Sequence, residues 1–178
     1  MREEINVLYY ASQIMKGVSN GVLLTTKTEN KVNTMSISWG TFGIEWGKLI
    51  FTAFVRENRF TIEQLKKNPE FTISIPVGDF DKSIIGFCGS KSGRDTDKIS
   101  EMGLTLVDGE KVSVPAVKEF PLTLECKVIY TQKQDVSVLD EKLRKQFYPQ
   151  DVDSFATGAN KDSHVVICGE IVSAYILE

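Results

Sequence analysis

The sequence predicts a mainly β protein, an antiparallel β-barrel with peripheral helices. Segments in which apolar and polar residues alternate outnumber segments with helical spacing. Consecutive strand segments are also joined by connections too short for crossover helices, which argues against a doubly wound fold. Because the 178 residues contain no clear linker or internal repeat, we expect a single domain over residues 1–178.

The first predicted element is an amphipathic helix over roughly residues 5–17. Apolar residues recur at helical spacing from Val7 to Val18, and Gly17 marks the expected helix end. The β-rich run Val22–Thr28 predicts the first strand of a hairpin.

A second strand is expected after a turn at residues 29–31, and it extends through Trp39. Its two faces differ in chemistry. One face is apolar (Met35, Ile37, Trp39) and the other carries hydroxyl groups (Thr34, Ser36, Ser38). The hydroxyl face either meets water or lines the edge of a polar ligand.

The segment Lys48–Val55 is apolar and aromatic, which predicts a strand buried on both faces. A helix follows, with Asn58 as its N-cap and Asn68–Pro69 as its stop. Arg56 and Arg59 bracket the helix start. Arginine and a helix N-terminus both favour phosphate, so this segment is either an anion site or a capped helix with two solvated arginines.

The stretch from Gly86 to Leu106 has a composition that suits neither a strand nor an ordinary linker. Its glycines, hydroxyls and cations precede a helix that Asp95 or Thr96 can cap and that ends before Gly103. A flexible basic loop that leads into a capped helix is typical of an anion site. A surface loop rich in glycine, serine and lysine has the same composition, so both interpretations stay open here.

The rest of the chain supplies further strands. The predicted elements are strands at 71–77, 122–130 and 164–177, a short charged helix at 140–147 and a polar loop at 148–163.

Composition narrows the classes of function. A net charge of −3 gives no overall electrostatic signature of nucleic-acid or membrane binding. The first residues do not have the pattern of a signal peptide, so we expect none, and no apolar run approaches membrane-spanning length. Cys88, Cys126 and Cys168 lie far apart, and the chain has one histidine, so no metal-ligand spacing exists. We therefore expect a cytoplasmic protein with no metal site, no nucleic-acid partner and no membrane association.

Four segments together resemble the flavin reductase-like, FMN-binding split-barrel proteins. They are NTMSISW at 33–39, VRENRFTIEQL at 55–65, GSKSGRDTDK at 89–98 and DSHVVICGEIV at 162–172. The SGR-x-x-DK motif is the most specific of these and is typical of the flavoredoxin-like branch. The resemblance covers roughly residues 17–177. It implies a six-stranded Greek-key split barrel that forms a homodimer with FMN near the subunit interface.

The resemblance also implies roles for individual residues. Arg56, Asn58, Arg59 and Thr61 would hold the phosphate of FMN. Ser92, Arg94 and Lys98 would approach the flavin from the central loop, and Asn33, Thr34, Met35, Ser36 and Ser38 would meet the ring or its polar edge. His164 is the candidate catalytic residue, because the family's matching histidine lies on the flavin and nicotinamide side of the site. There it could donate a hydrogen bond and gain charge as the pH falls past about 6.5.

Two functions fit this resemblance. In the first, NAD(P)H reduces bound FMN by hydride transfer, and the electrons pass to an acceptor such as a redox partner protein. In the second, the protein is an electron carrier of the flavoredoxin type and needs no nicotinamide site. A third interpretation is a split-barrel protein that binds no flavin, or that binds haem or another ligand. The chain has no G-x-G-x-x-G fingerprint, so any nicotinamide site is not of the Rossmann type.

Overall fold

The computed structural model describes residues 1–29, 31–151 and 161–178. Its strands are β1 (Arg2–Glu4), β2 (Val22–Thr28), β3 (Lys31–Ile37), β4 (Gly40–Glu45), β5 (Lys48–Arg56), β6 (Glu70–Ile75), β7 (Leu106–Val107), β8 (Ala116–Val117), β9 (Leu122–Lys133) and β10 (His164–Leu177). Its helices are α1 (Ala11–Asn20), α2 (Phe60–Lys67), α3 (Lys82–Ser90), α4 (Lys98–Glu101) and α5 (Glu141–Phe147), with 3-10 turns at Val7–Tyr10 and Val136–Val138. The predicted polar loop at 148–163 lies largely outside the described residues.

All strand pairs within these residues are antiparallel, as the short connections predict. The main sheet has eight strands in the order β3-β2-β6-β9-β10-β5-β4, with β1 added alongside β10. A separate two-stranded ribbon joins β7 and β8. The end strand β3 also contacts β5, which lies next to the other end strand, β4. The mainly β barrel architecture is thus confirmed, and the main sheet has more strands than the expected six.

Strand β4 is not among the elements predicted from the sequence. This segment contains two glycines and lacks the β-branched run that predicts a strand. It becomes a strand because Trp46 and Gly47 form a tight turn to β5, across which Glu45 pairs with Lys48. Both turn residues have positive φ angles, 52° and 69°, which match the twist of a two-residue hairpin.

The core fills the barrel and extends under α1. The prediction that β5 is buried on both faces is confirmed in part: Phe51, Ala53 and Val55 are buried on one face, whereas on the other face Ile50 is buried and Thr52 and Phe54 are half-buried. Ile14 of α1 is fully buried, and the helix contacts β4 and β6. The predicted end of this helix at Gly17 is wrong. The helix continues to Asn20, and Gly17 lies inside it. A side chain at Gly17 would collide with Ile75, so the glycine permits close packing.

The start of α2 differs from the prediction by one residue. Arg59 is the N-cap residue and its side chain makes no capping hydrogen bond, so the predicted Asn58 cap is wrong. Asn58 instead donates its backbone N–H to Asp162 Oδ2 at 2.9 Å, which holds it one residue before the N-cap. The predicted stop after Lys67 is confirmed.

The central stretch begins as a helix and not as a loop. Residues 86–90 belong to α3, which forms because Ile84 and Cys88 bury one face and outweigh the low helix propensity of the glycines.

The following helix, α4, starts later than predicted. Its cap is Asp97, whose Oδ1 accepts from the Ser100 N–H at 3.1 Å, so the predicted caps Asp95 and Thr96 are wrong. Gly103 follows the helix with φ of 60°, as predicted. Both α3 and α4 contact β3, an edge strand, and this junction forms the site described below. No helix in the described part of the chain is long and apolar enough to cross a membrane.

Candidate functional site

A small cavity lies where β3 meets the start of α2 and the segment that joins α3 to α4. Its volume is about 100 Å³. Its lining residues are Asn33, Met35, Asn58, Arg59, Phe60, Thr61, Cys88, Gly89, Lys91, Ser92, Gly93, Arg94 and Lys98. Ligand pockets commonly measure ~300–1,000 Å³. The cavity can therefore enclose a small polar group, and a larger ligand would extend beyond it.

Most of the residues predicted from the sequence as cofactor-binding line this cavity. They are Asn33, Met35, Asn58, Arg59, Thr61, Ser92, Arg94 and Lys98. They come from three segments far apart in sequence, so the fold brings them together without a local motif. The others are not among the lining residues; they are Thr34, Ser36, Ser38 and Arg56.

Lys98 is the most buried cation of the cavity. It is 4% exposed, and its Nζ donates to the carbonyl oxygens of Cys88 at 3.2 Å and Lys91 at 3.3 Å. Burial lowers the pKa of Lys98 to about 8, the Cys88 thiol opposes this shift, and the nearby cations Arg59 and Lys31 add to it. Among the described residues no carboxylate is a cause of this shift, so an anionic ligand beside Lys98 would favour the charged ammonium.

Arg94 lies on the cavity wall and is held by protein partners. Its guanidinium donates to the Glu63 carboxylate and, at 3.1 Å, to the Asn58 carbonyl oxygen. These bonds tie the segment between α3 and α4 to the start of α2. The Arg94–Glu63 ion pair is about half exposed, so it contributes little to the free energy of unfolding. Its main effect is to position the segment between α3 and α4 against the start of α2.

Asn33 provides a buried acceptor without a partner. Its amide nitrogen donates to Thr61 Oγ1 at 3.2 Å, but its Oδ1 has no hydrogen-bond partner in the described residues. The backbone of Gly93 passes so close that a Cβ there would collide with Asn33 Oδ1 and Phe60. An orphaned buried oxygen costs free energy, so a donor supplied by a ligand would be stabilised at this position.

The hydroxyl face of β3 does not line the cavity. Thr34 Oγ1 is fully buried and donates to the Leu24 carbonyl oxygen at 3.5 Å, beside Thr25 Oγ1 at 3.1 Å. Ser36 lies under Gly89, and Ser38 is exposed beyond the strand end. The residues that do reach the cavity are Asn33 and Met35, on the opposite face of the strand.

Arg56 connects the end of α5 to the start of β10. Its guanidinium donates to the carbonyl oxygens of Asp162 at 2.6 Å and Phe147 at 2.8 Å and lies 4.9 Å from the centre of the Tyr148 ring. Burial lowers the pKa of Arg56, and the Asp162 carboxylate opposes this shift. The two arginines that look equivalent in sequence therefore occupy different environments.

His164 lies close to Arg56 but not on the cavity wall. Its Nδ1 is 2.8 Å from Tyr148 Oη, and its ring is 4.9 Å from the Trp39 ring. The side chain is 5% exposed, and burial together with Arg56 lowers its pKa to about 4. The imidazole is therefore neutral between pH 5.5 and 7.5, and the expectation that it gains charge just below pH 6.5 is wrong.

Sequence reasoning missed several lining residues. They are Phe60, Cys88, Gly89, Lys91 and Gly93. All but Phe60 lie in the Gly86–Leu106 stretch, whose glycines and cations had already suggested an anion site, although these four residues were not assigned to the cofactor. No sequence signal marks Phe60 as a cavity residue. Its ring comes within cation–π distance of Lys31 (5.3 Å) and Arg94 (5.8 Å) only in the folded chain.

The structure combines an antiparallel split barrel with a cation-lined cavity at the edge of the sheet. These two features define a class of proteins that can bind a compact anionic group. The chain belongs to the family described as "Flavin reductase like domain", whose sequence model matches residues 15–178. This match confirms the family resemblance inferred from the four sequence segments.

Two curated relatives are uncharacterized proteins of archaea. One, from Archaeoglobus fulgidus, is 29% identical over 99 residues, which are 56% of this chain and 55% of that protein. The other, from Pyrococcus abyssi, is 31% identical over 103 residues, 58% of each chain. The matched region thus spans a little over half the length of these relatives.

Solved structures with the same fold include flavoproteins. The flavoredoxin of Methanosarcina acetivorans superposes with a TM-score of 0.64 at 22% identity and covers 89% of this chain and 68% of its own. An FMN-binding domain of a flavin reductases-like enzyme from Shewanella baltica gives 0.66 at 17% identity, over 99% and 77%. Nitrilotriacetate monooxygenase component B of Bacillus cereus gives 0.66 at 16%, over 99% and 79%. At these identities the likeness concerns the fold, and it confirms the split barrel.

Proposed function

We propose that this protein binds FMN and reduces it with NAD(P)H. The observation that carries the proposal is the buried Lys98 ammonium beside Arg59, in a cavity where no carboxylate of the described residues shifts the pKa of Lys98. Such a cavity suits a dianionic phosphate. The similarity to the Shewanella baltica domain, described as FMN-binding, agrees with this choice.

The residues of the cavity fit the polar end of FMN. Arg59 and Lys98 would pair with the phosphate, and the N-terminus of α2 would add favourable backbone dipoles. The unpartnered Asn33 Oδ1 can only accept, so it would accept a hydrogen bond from a hydroxyl of the ribityl chain. The cavity is too small for the flavin ring, which would lie outside it.

Bound FMN would supply the redox chemistry, accepting a hydride from the nicotinamide of NAD(P)H and delivering electrons onward. The protein's task is to hold the cofactor and orient the co-substrate. His164 would act near the nicotinamide as a neutral hydrogen-bonding group, since its pKa of about 4 keeps it uncharged. A cytoplasmic location belongs to the same proposal.

A flavoredoxin-type electron carrier is the second candidate. The SGR-x-x-DK sequence at residues 92–98 and the structural likeness to the Methanosarcina acetivorans flavoredoxin favour it. Such a carrier would hold FMN in the same cavity and exchange electrons with a protein partner. It would not need a nicotinamide site.

A visible spectrum of the FMN-loaded protein under anaerobic conditions distinguishes the two. The reductase proposal expects NADH or NADPH alone to bleach the flavin bands. Bleaching by dithionite but by neither nicotinamide would establish the carrier instead. A protein that binds no FMN at all would exclude both candidates.

We also propose that the protein is a homodimer. The apolar run Leu49–Val55, which suggested dimerisation in the sequence, is largely buried within the chain. Exposed apolar side chains lie instead on β4, where Ile44 is 71% exposed, and on the adjoining turn, where Trp46 is 54% exposed. Tyr130, 42% exposed, lies beside Trp46 with a ring separation of 6.2 Å. These side chains would lie in the subunit interface.

Sedimentation equilibrium at micromolar concentration tests the dimer. We expect the mass of two chains, and Trp46→Lys should shift the equilibrium toward monomer. A wild-type monomer that still binds FMN tightly would contradict this proposal.

A further inference from the structure

His164 belongs to a short chain of side-chain hydrogen bonds. Its Nδ1 faces Tyr148 Oη at 2.8 Å, and the same Oη lies 3.1 Å from Gln134 Oε1. The Gln134 backbone N–H also donates to the His164 carbonyl oxygen at 2.9 Å, which keeps Gln134 close to the start of β10.

The ring of His164 is held in place from two further sides. The Trp39 ring packs at 4.9 Å with an interplanar angle of 39°, and Phe147 in turn packs edge-on against Trp39. The Arg56 guanidinium lies over the Tyr148 ring and fixes its position from above. The imidazole therefore has a defined orientation and a defined neighbour at Nδ1.

The number of protons available to these hydrogen-bonded side chains determines the tautomer of His164. A tyrosine hydroxyl has one proton, and an amide oxygen can only accept. Tyr148 must therefore donate its proton to Gln134 Oε1, which leaves Oη as the acceptor for His164. The imidazole is neutral, so its proton lies on Nδ1 and Nε2 keeps a free lone pair.

We propose that Gln134 and Tyr148 are positioning residues that set the tautomer of His164, so that its Nε2 accepts a hydrogen bond from the nicotinamide carboxamide. Within the described residues Nε2 has no hydrogen-bond partner. This reverses the sequence-based expectation that the imidazole donates a hydrogen bond or carries charge. The second half of the proposal rests on the reductase function; the tautomer does not.

The tautomer can be observed directly, because His164 is the single histidine of the chain. In a long-range ¹H–¹⁵N correlation spectrum of the ¹⁵N-labelled, FMN-loaded protein, we expect Nδ1 to give the pyrrole-type signal and Nε2 the pyridine-type signal. The opposite assignment in the wild-type protein would overturn the proposal. This measurement requires no activity.

Two substitutions at Gln134 sharpen the test. Gln134→Leu removes the acceptor, so Tyr148 can donate to Nδ1 and the imidazole should switch to the Nε2–H form. Gln134→Glu keeps an acceptor and should retain the wild-type signals. Gln132→Leu is the matched control, since Gln132 Oε1 accepts from the Tyr130 hydroxyl at 2.5 Å on the same strand without a histidine. If Gln134→Leu keeps its fold by circular dichroism and the His164 tautomer is unchanged, the proposal that Gln134 and Tyr148 set the tautomer is contradicted.

Reduction kinetics test the functional half. Gln134→Leu should slow flavin reduction by NAD(P)H several-fold with little change in the Kd for FMN, and Gln134→Glu should restore the rate. An unchanged rate despite a switched tautomer would exclude a role for Nε2. If neither nicotinamide reduces the wild-type protein, the reductase function fails while the spectrum still decides the tautomer.

Discussion

The ammonium of Lys98 lies 3.2 Å from the carbonyl oxygen of Cys88, a neutral acceptor, in a cavity that also contains Arg59. Its pKa of about 8 reflects burial first; the Cys88 thiol opposes that shift, and the cations Arg59 and Lys31 add to it by smaller amounts. A bound phosphate would reverse this balance, because a dianion favours the charged form of the amine. Ligand affinity and protonation of Lys98 are therefore coupled.

This coupling predicts the pH dependence of FMN binding. Below about pH 8, Lys98 is protonated with and without ligand, so affinity should be constant above the second phosphate pKa of about 6. As the pH rises past 8, the free protein loses the proton that the complex requires. Affinity should then fall by up to about tenfold per pH unit. Fluorescence titrations from pH 7 to 9.5 measure this, and Lys98→Met should bind more weakly without the pH dependence.

Arg59→Ala should weaken FMN binding by about 10- to 100-fold, because a charge-assisted hydrogen bond contributes about 1.5–3 kcal/mol. Arg144→Ala is the control, since Arg144 is exposed on α5 and does not line the cavity. Titration of FMN into each variant gives the affinities. If Arg59→Ala binds FMN with the same affinity as the wild-type protein, Arg59 does not contact the phosphate.

Arg56→Ala should act on stability more than on binding. It leaves the carbonyl oxygens of Phe147 and Asp162 without this donor, at a cost of about 1–3 kcal/mol in the free energy of unfolding. Urea denaturation measures that loss. Unchanged stability with FMN affinity reduced as in Arg59→Ala would restore the sequence-based assignment of Arg56 to the phosphate.

Gly93→Ala should lower both stability and FMN affinity. The Cβ of the alanine would collide with Asn33 Oδ1, so the segment between α3 and α4 must shift. We expect this shift to lower the free energy of unfolding by about 1–3 kcal/mol. Gly86→Ala is the matched control: a Cβ there meets nothing within 4 Å, and alanine suits the interior of α3. We expect that variant to be at least as stable as wild type. Equal melting temperatures and affinities for Gly93→Ala and wild type would show that the cavity wall is less tightly packed than described.

Much of the fold was predictable because hydrophobic periodicity is a local signal. The final strand, His164–Leu177, and the Asn68–Pro69 helix stop appear as the sequence predicts. β4 and α3 were missed because a tight turn and burial against β3 stabilise segments that have weak local propensity.

The candidate site was predictable to the level of segments but less so to the level of side chains. Residue types place Arg56 and Arg59 in one group, yet Arg59 lines the cavity and Arg56 binds backbone carbonyls. That difference depends on residues at the start of β10, about a hundred positions later in the chain. The pKa of His164 could not be predicted from the sequence either, because it depends on burial and on the Arg56 guanidinium, which lies near His164 only in the folded chain.

The most direct test of the account compares the wild-type affinities for FMN and riboflavin, which differ only in the phosphate. Titrations at pH 7 should give a Kd for FMN at least tenfold lower, since charge-assisted bonds to the phosphate contribute about 1.5–3 kcal/mol each. Addition of inorganic phosphate should weaken FMN binding and leave riboflavin binding unchanged. Equal affinities for FMN and riboflavin would contradict the assignment of the Arg59–Lys98 cavity to the phosphate.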